Sequence, residues 1–290
     1  MRKRFIAIVL VAVVFGSCTN ESEDASPVVI GSKNFTESVI LGELLAQVVE
    51  RAGCEVDRKL NMGGTFVADR AMRTGSLDAY VEYSGTALTA IFDRKPTGNR
   101  EAVERIIANE YQRAGLVWGP ALGFENTFAM IVRAESAQEH NLETIGDLDR
   151  VEDLFQPGFG YEFVERQDGW DGLLDAYRLK FPKPPVTMDL GLTYKALDEG
   201  QVDLIAGNST DGLIDTLGLV VLEDDKEYFP PYDAAVVYRE DLAEKCPAAI
   251  EAFENLRDSI DEATMRQLNY AIDGEPRDVG EVVREFLVQR

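Results

Sequence analysis

An α/β fold built from two similar lobes is what this chain predicts, on two observations. Strand-like and helix-like segments alternate from Pro27 almost to the end, and one passage of eight residues recurs at a constant offset. Alternation of this kind argues for helices packed on sheets that are mostly parallel.

Taken in order, Val28–Gly31 is a short apolar strand that leads into a helix over Thr36–Arg51. There Val39, Leu41, Leu44, Leu45, Val48 and Val49 make an apolar face, and Gly53 stops it. The next strand lies near Val56–Leu60, followed by a helix around Thr65–Arg73 and the strand Leu77–Tyr83. No element is assigned between Tyr83 and Phe128. After that come the strand Phe128–Val132, a helix opened by Thr144 and Asp147, and another over Gly172–Lys180. The strand Val186–Met188, the helix Leu192–Leu197 and the strand Val202–Ala206 complete the pattern. From Ala243 the chain reads as helical. Leu256, Ile260, Met265, Leu268 and Ile272, then Val279, Val282, Val283 and Phe286, recur at core-facing spacing.

The recurrence sets Ala71-Met72-Arg73-Thr74-Gly75-Ser76-Leu77-Asp78 against Ala196-Leu197-Asp198-Glu199-Gly200-Gln201-Val202-Asp203. Both copies read helix end, glycine, strand start, aspartate. Carried forward, the match aligns YVEYSGT with IAGNSTD, which pairs Tyr83 with Asn208 and Thr86 with Asp211. Two such lobes would face each other across a cleft. In open α/β sheets ligands bind beyond the carboxyl ends of the strands, which makes the YVEYSGT turn a candidate site.

Other candidates sit at strand ends and turns. Lys33, in Ser32-Lys33-Asn34 before the first helix, and Arg166, in a polar turn, are suited to gripping a carboxylate. Asn126-Thr127-Phe128 opens the second half, and Pro230-Pro231 stiffens the backbone that presents Tyr232. Each residue also has a bland reading, as core-edge packing or a solvated turn.

The N-terminus, MRKRFIAIVLVAVVFGSC, has a basic start and an apolar run over Phe5–Phe15. That run is shorter than the roughly 20 residues a spanning helix needs, so it is an export signal. Its end, Phe15-Gly16-Ser17-Cys18, resembles a bacterial lipobox, which makes Cys18 the expected lipidation site. Residues 18–27 then form a polar, acidic tether. Beyond Cys18 only Cys54 and Cys246 remain. They could pair in an oxidising compartment, but two cysteines so far apart make no disulfide framework, and no bridge is expected. His140 falls in a polar stretch and is expected at the surface. No cysteine–histidine cluster has metal-ligand spacing. The chain holds 29 Lys+Arg against 52 Asp+Glu, which argues against nucleic acid and anionic lipid as partners.

A denser signal comes from IGSKNFTESVILGELLAQ, GGTFVADRAM, EYSGTAL, GFENTFAMIVR, YEFVERQDGW, MDLGLTYKALDEGQVDLIAGNSTDGLI, LEDDKEYFPPYDAA and the tail near MRQLNYAIDG. In this order, over nearly the whole mature chain, the sequence resembles the glycine betaine/choline-binding proteins of osmoprotectant ABC importers. The resemblance implies a type II periplasmic-binding-protein fold, with two α/β lobes, a ligand cleft and two interlobe crossovers. Lobe one would comprise residues 28–127 and 231–290, lobe two residues 128–230, and the signal residues 1–17. It further implies an aromatic cage for a trimethylammonium head at Tyr83, Phe128, Tyr232 and Asn208, and carboxylate contacts at Lys33, Thr86 and Arg166. Asn126 stands where the family usually has aspartate, and Asn208 where it usually has tyrosine, so one cage wall is missing. Trp170 is a further candidate to fill that gap, although packing at a helix start is the reading favoured for it.

The implied function is capture of a quaternary-ammonium solute bearing a carboxylate, by a lipid-anchored monomer facing the periplasm or cell exterior. Delivery would be to separate permease subunits. Choline, carnitine or ergothioneine as ligand, and a sensory rather than transport role, stay open. An enzyme is not expected, because no serine–histidine or cysteine–histidine pair is available near the cleft. No cofactor is expected.

Overall fold

The computed structural model describes residues 26–275 and 277–289. The export signal, Cys18 and most of the tether lie outside them. Two sheets of five strands organise the chain. The first is ordered β2-β1-β3-β10-β4, from β1 (Val28–Gly31), β2 (Val56–Lys59), β3 (Ala79–Tyr83), β4 (Leu116–Glu125) and β10 (Asp233–Arg239). The second is ordered β7-β6-β8-β5-β9, from β5 (Phe128–Arg133), β6 (Pro157–Gly160), β7 (Val186–Met188), β8 (Leu204–Asn208) and β9 (Leu219–Leu222). In each sheet three parallel strands are extended by two antiparallel ones, and the two orders correspond strand for strand.

The internal echo is therefore structural, and it reaches individual hydrogen bonds. Asp78 Oδ2 accepts from the Val29 N–H at 2.7 Å, and Asp203 Oδ2 accepts from the Gln156 N–H at 2.9 Å. Gly75 and Gly200 turn the chain at φ +73° and +69°, a region that favours glycine. Arg239, ending β10, donates to the Met72 carbonyl, and Arg133, ending β5, donates to the Leu197 carbonyl. Tyr83 and Asn208 close the equivalent strands β3 and β8.

Helix α1 (Thr36–Arg51) buries Ile40, Leu41, Leu44, Leu45 and Val49 on one side of the first sheet, with Phe253, Val282 and Val283 from the C-terminal helices. On the other side, Met72 of helix α2 (Thr65–Arg73) packs with Tyr80, Tyr111 and Leu116. The second sheet is likewise covered on both faces. Such layering buries the parallel strands, as an α/β lobe requires. The bounds of β1, α1, α2 and β7 match the sequence reading, while β8 starts two residues later and ends at Asn208. The helix expected at Thr144 is a short 3₁₀ helix, Ile145–Arg150, and the Thr144/Asp147 capping box forms. His140 is half-buried, its ring 5.7 Å from Phe155.

Two features depart from expectation. Helix Arg100–Arg113 and strand β4 fill the stretch left unassigned. Cys54 and Cys246 form a disulfide, with Cα atoms 6.4 Å apart. The two residues are distant in sequence, but the end of α1 and the start of helix Pro247–Glu254 meet in one core. The chain passes to the second sheet between Glu125 and Phe128 and returns between Leu222 and Asp233. The two passages touch, since the Asn126 N–H donates to the Tyr232 carbonyl at 3.1 Å. Among the described residues, no helix is long and apolar enough to cross a membrane.

Candidate ligand-binding site

Strand β3 carries five buried residues and ends at Tyr83, where Ser84–Thr86 begin a tight turn. That turn widens into an i→i+5 turn, with the Phe92 N–H on the Ala87 carbonyl, a geometry frequent at functional sites. Gly85 has no alternative here. A Cβ on it would stand 2.6 Å from the Tyr232 ring and 2.9 Å from the Pro231 carbonyl. The small residue in the turn is what lets Tyr232 lie against it.

A cavity of about 270 Å³ opens between the lobes at these strand ends. Lys33, Tyr83, Thr86, Asn126, Phe128, Arg166, Asn208 and Tyr232 all line it, so eight of the nine residues singled out in the sequence meet at one place. Trp170 is the exception. It is buried in the lobe-two core, its ring centroid 4.7 Å from Phe159 and 5.1 Å from Phe181. It fills no gap in the cavity wall.

The rings form two groups, each holding a cation of the chain itself. Lys33 Nζ lies 4.7 Å from the Tyr83 centroid and 5.6 Å from that of Phe35. The Arg166 guanidinium lies 4.9 Å from the Phe128 centroid and 6.0 Å from that of Tyr232. Phe128 and Tyr232 meet edge to face at 5.8 Å. Spacings of this order put a cation within reach of the ring quadrupole.

Sequence reasoning missed the partners of those cations. Lys33 Nζ is ion-paired with Glu82 at 2.6 Å, and both are buried. Its backbone N–H is taken by Ser38 Oγ, leaving the ammonium as the anchor. Arg166 binds Asp168 through Nε at 2.8 Å and Nη2 at 2.5 Å, and reaches Thr86 Oγ1 at 3.1 Å. Asp168 also accepts from Thr89 and Tyr232 hydroxyls, at 2.7 and 2.5 Å. Burial alone would raise the Asp168 carboxyl, but the bonds and charge of Arg166, with the two hydroxyls, hold it below the ordinary carboxylate value. Glu82 was visible in YVEYSGT as a charge inside a buried strand, which needs a buried partner.

Glu37 is a second hub. It accepts from Tyr83 (2.6 Å), Asn126 (2.8 Å), Thr210 (2.5 Å) and Asn269 (3.0 Å). Burial pushes its carboxyl up against the pull of those four donors. The bond to Glu37 orients the Asn126 amide, whose Oδ1 is buried at the cavity wall without a partner. The bonds that tie the lobes together include Glu37 to Thr210, Thr86 and Thr89 to the Arg166–Asp168 pair, and Thr65 to Glu162. In the last, the Glu162 carboxylate accepts from the Thr65 N–H at 2.6 Å and caps α2, which has no side-chain cap of its own. A Cβ at Gly64 would stand 1.9 Å from Glu162 Oε1 and prevent it.

At the far wall Asn208 pairs across β8–β5 with Phe128, and its amide donates to Asp211 at 3.3 Å. Asp211 also accepts from the Tyr194 hydroxyl at 2.6 Å. Burial pushes its carboxyl up to about 6, with the Tyr194 and Asn208 bonds opposing and the Glu37 charge adding. A carboxyl raised in the folded state contributes stability that is complete below its unfolded value near 3.8 and lost as pH rises through about 6. Relative to Asp211→Asn, the wild type should lose up to about 3 kcal/mol between pH 4 and pH 6.5, read from urea midpoints. Parallel pH profiles for the two proteins would count against the raised value.

Among the described residues no cluster of histidine, cysteine, aspartate and glutamate is placed to hold a metal. The arrangement suits binding: ring faces, two anchored cations and buried acceptors around one enclosed space.

Comparison with known proteins agrees. The carnitine transport binding protein OpuCC of Listeria monocytogenes is 32% identical, across 99% of this chain and 97% of that protein. The glycine-betaine-binding protein of Pseudomonas aeruginosa is 33% identical, across 89% of this chain and 86% of its own. The ergothioneine transport permease/ergothioneine binding protein EgtU of Helicobacter pylori is 32% identical over 98% of this chain, which spans about half (51%) of that protein's length. A solved structure described as a glycine betaine/carnitine/choline ABC transporter shares the fold at a TM-score of 0.74, with 29% identity, over 90% of this chain and 98% of that one. Residues 26–289 match the model for the substrate binding domain of the ABC-type glycine betaine transport system. Proteins of this kind are extracytoplasmic, bind small solutes for permease subunits and are not enzymes. By that match the chain belongs to the family of substrate-binding domains of ABC-type glycine betaine transport systems.

Proposed function

We propose that the chain captures a betaine, a solute with a trimethylammonium head and a carboxylate, in the cavity between its lobes and delivers it to a separate permease. The observation that carries this reading is the wall itself, where the rings of Tyr83, Phe128 and Tyr232 border one space. Ring faces attract a quaternary ammonium. Lys33 and Arg166 are each neutralised by a resident carboxylate, while Glu162 and Asp189 leave the lining with surplus negative charge. That balance favours a cationic head. Lys33 has three N–H donors and Arg166 five, so donors remain for a ligand carboxylate after Glu82, Asp168 and Thr86 are served. Lipidation at Cys18 and a monomeric state belong to the same proposal. Incorporation of labelled fatty acid into the wild type, and not into Cys18→Ala, tests the anchor.

Calorimetric titration with glycine betaine, choline and carnitine tests the ligand class. At least one should bind, and the reading fails if none does. Phe128→Leu is the cleanest cage variant, because it keeps apolar bulk and disturbs no hydroxyl bond. A desolvated cation–π contact is worth about 2 kcal/mol, so its loss should weaken binding roughly 30-fold. Unchanged affinity would remove Phe128 from the cage.

A further inference from the structure

A second cavity, of about 300 Å³, abuts the first. Asn34, Phe35, Asp189, Leu190 and Asn208 border both, forming a partition between them. Asn208 is the member of that partition contributed by the end of β8, the strand equivalent to β3, where Tyr83 stands. A tyrosine there would raise the partition by a ring. Asparagine instead folds back on Asp211, through its backbone N–H at 2.9 Å and its amide at 3.3 Å.

The second cavity differs from the first in chemistry. Its lining includes Asp189, Asp211 and Asp273, and no lysine or arginine. The rest of the wall is mixed, with Val39, Leu213, Ile272 and Val279 beside Asn34, Thr36 and Asn61. Asp211 is held in place by the Tyr194 hydroxyl, and Asp273 by the Thr36 hydroxyl at 2.6 Å. A space with aliphatic side chains and three carboxylates in its wall fits an apolar stem with a cationic tip. A carboxylate would meet like charge there.

We infer that the second cavity is a side-arm subsite, which selects betaines carrying, on the carbon that bears the trimethylammonium and carboxylate, an aliphatic arm ending in an ammonium or another N–H donor. The inference rests on the betaine reading above. The head sits among Tyr83, Phe128 and Tyr232, the carboxylate near Lys33 and Arg166, and the arm passes over Asn208 and Asp189 to Asp211 and Asp273. The first cavity alone, about 270 Å³, falls just below the roughly 300–1,000 Å³ usual for small-molecule sites. The second gives a larger ligand room without displacing the head.

Three ligands separate the outcomes by calorimetry: glycine betaine, with no arm; Nα-trimethyl-norleucine, with an apolar arm; and Nα-trimethyl-lysine, with an ammonium arm. The lysine betaine should bind at least ten-fold more tightly than the norleucine betaine. Asn208→Tyr should tighten glycine betaine and weaken the lysine betaine, two changes of opposite sign that misfolding would not produce. The triple change Asp189→Asn, Asp211→Asn and Asp273→Asn should bring the lysine-to-norleucine ratio close to one. Equal affinity of the two armed ligands for the wild type overturns the subsite while leaving the betaine reading intact. Survival of the ratio in the triple variant does the same. Binding of none of the three overturns both.

Discussion

Replacing Asp168 with leucine is expected to lower folding stability by about 3–5 kcal/mol, the usual cost of breaking a buried ion pair by removing one partner. It should also weaken ligand capture at least ten-fold. Asp168 is fully buried and is the only acidic group whose bond to Arg166 is recorded among the described residues. Without it the guanidinium stays over Phe128 with its charge uncompensated, or swings into the cavity where a ligand must sit. The first outcome costs stability and the second costs affinity. Urea midpoints and calorimetric titration read them separately, and a loss below about 1 kcal/mol with normal affinity would mean the pair is dispensable.

Thr89→Val removes one interlobe contact of the same network and leaves those of Thr86 and Tyr232 in place. Arg166 and Asp168 lie in the second lobe, whereas Thr89 follows β3 in the first, so the 2.7 Å bond between Thr89 and Asp168 bridges the cleft. A ligand that binds the closed form gains whatever free energy favours closure. Removing this hydroxyl, which also lies 2.8 Å from the Gly85 carbonyl of its own lobe, should therefore lower affinity several-fold, about 1 kcal/mol, and leave the ion pair standing.

What the sequence revealed followed from periodicity and from local repetition. The α1 face from Val39 to Val49 and the stop at Gly53 are contained within one window, and the helix came out with its bounds intact. The echo at Gly75 and Gly200 is equally local, and it led from Tyr83 to Asn208. Strand β4 was hidden because Gly119, Pro120 and Gly123 break its pattern. Pairing only with β10, at an edge, and irregular in register, it tolerates what a central strand would not. Helix Arg100–Arg113 did carry a signal, an Asn99 cap ahead of Val103, Ile107 and Tyr111. Glu37 and Asp168 were hidden for a different reason. Their meaning depends on Thr210 and Asn269, or on Thr89 and Tyr232, which only the folded chain brings near. The same holds for Trp170, which local composition cannot distinguish from a cage wall until Phe159 and Phe181 are seen around it.

Loss of the Cys54–Cys246 bridge should cost about 2–5 kcal/mol, near the upper end on loop length alone. The bond closes a loop of 192 residues' separation, and the entropy that a cross-link removes from the unfolded chain grows with the logarithm of that length. Its placement adds to the argument. The first sheet is assembled from two distant parts of the chain, with all five strands of the second sheet between them. The bridge joins those parts beside a core where Cys246 is buried among Leu242, Ala249 and Phe253. An extracytoplasmic protein meets the oxidising conditions that keep such a bond. Urea unfolding with and without reductant, and of Cys54→Ser with Cys246→Ser, measures the effect. The reduced protein and the double variant should show the same lowered midpoint. Both should bind ligand normally while folded, because neither cysteine borders the cavity. A midpoint insensitive to reductant would show that packing alone holds the two parts of the first lobe together.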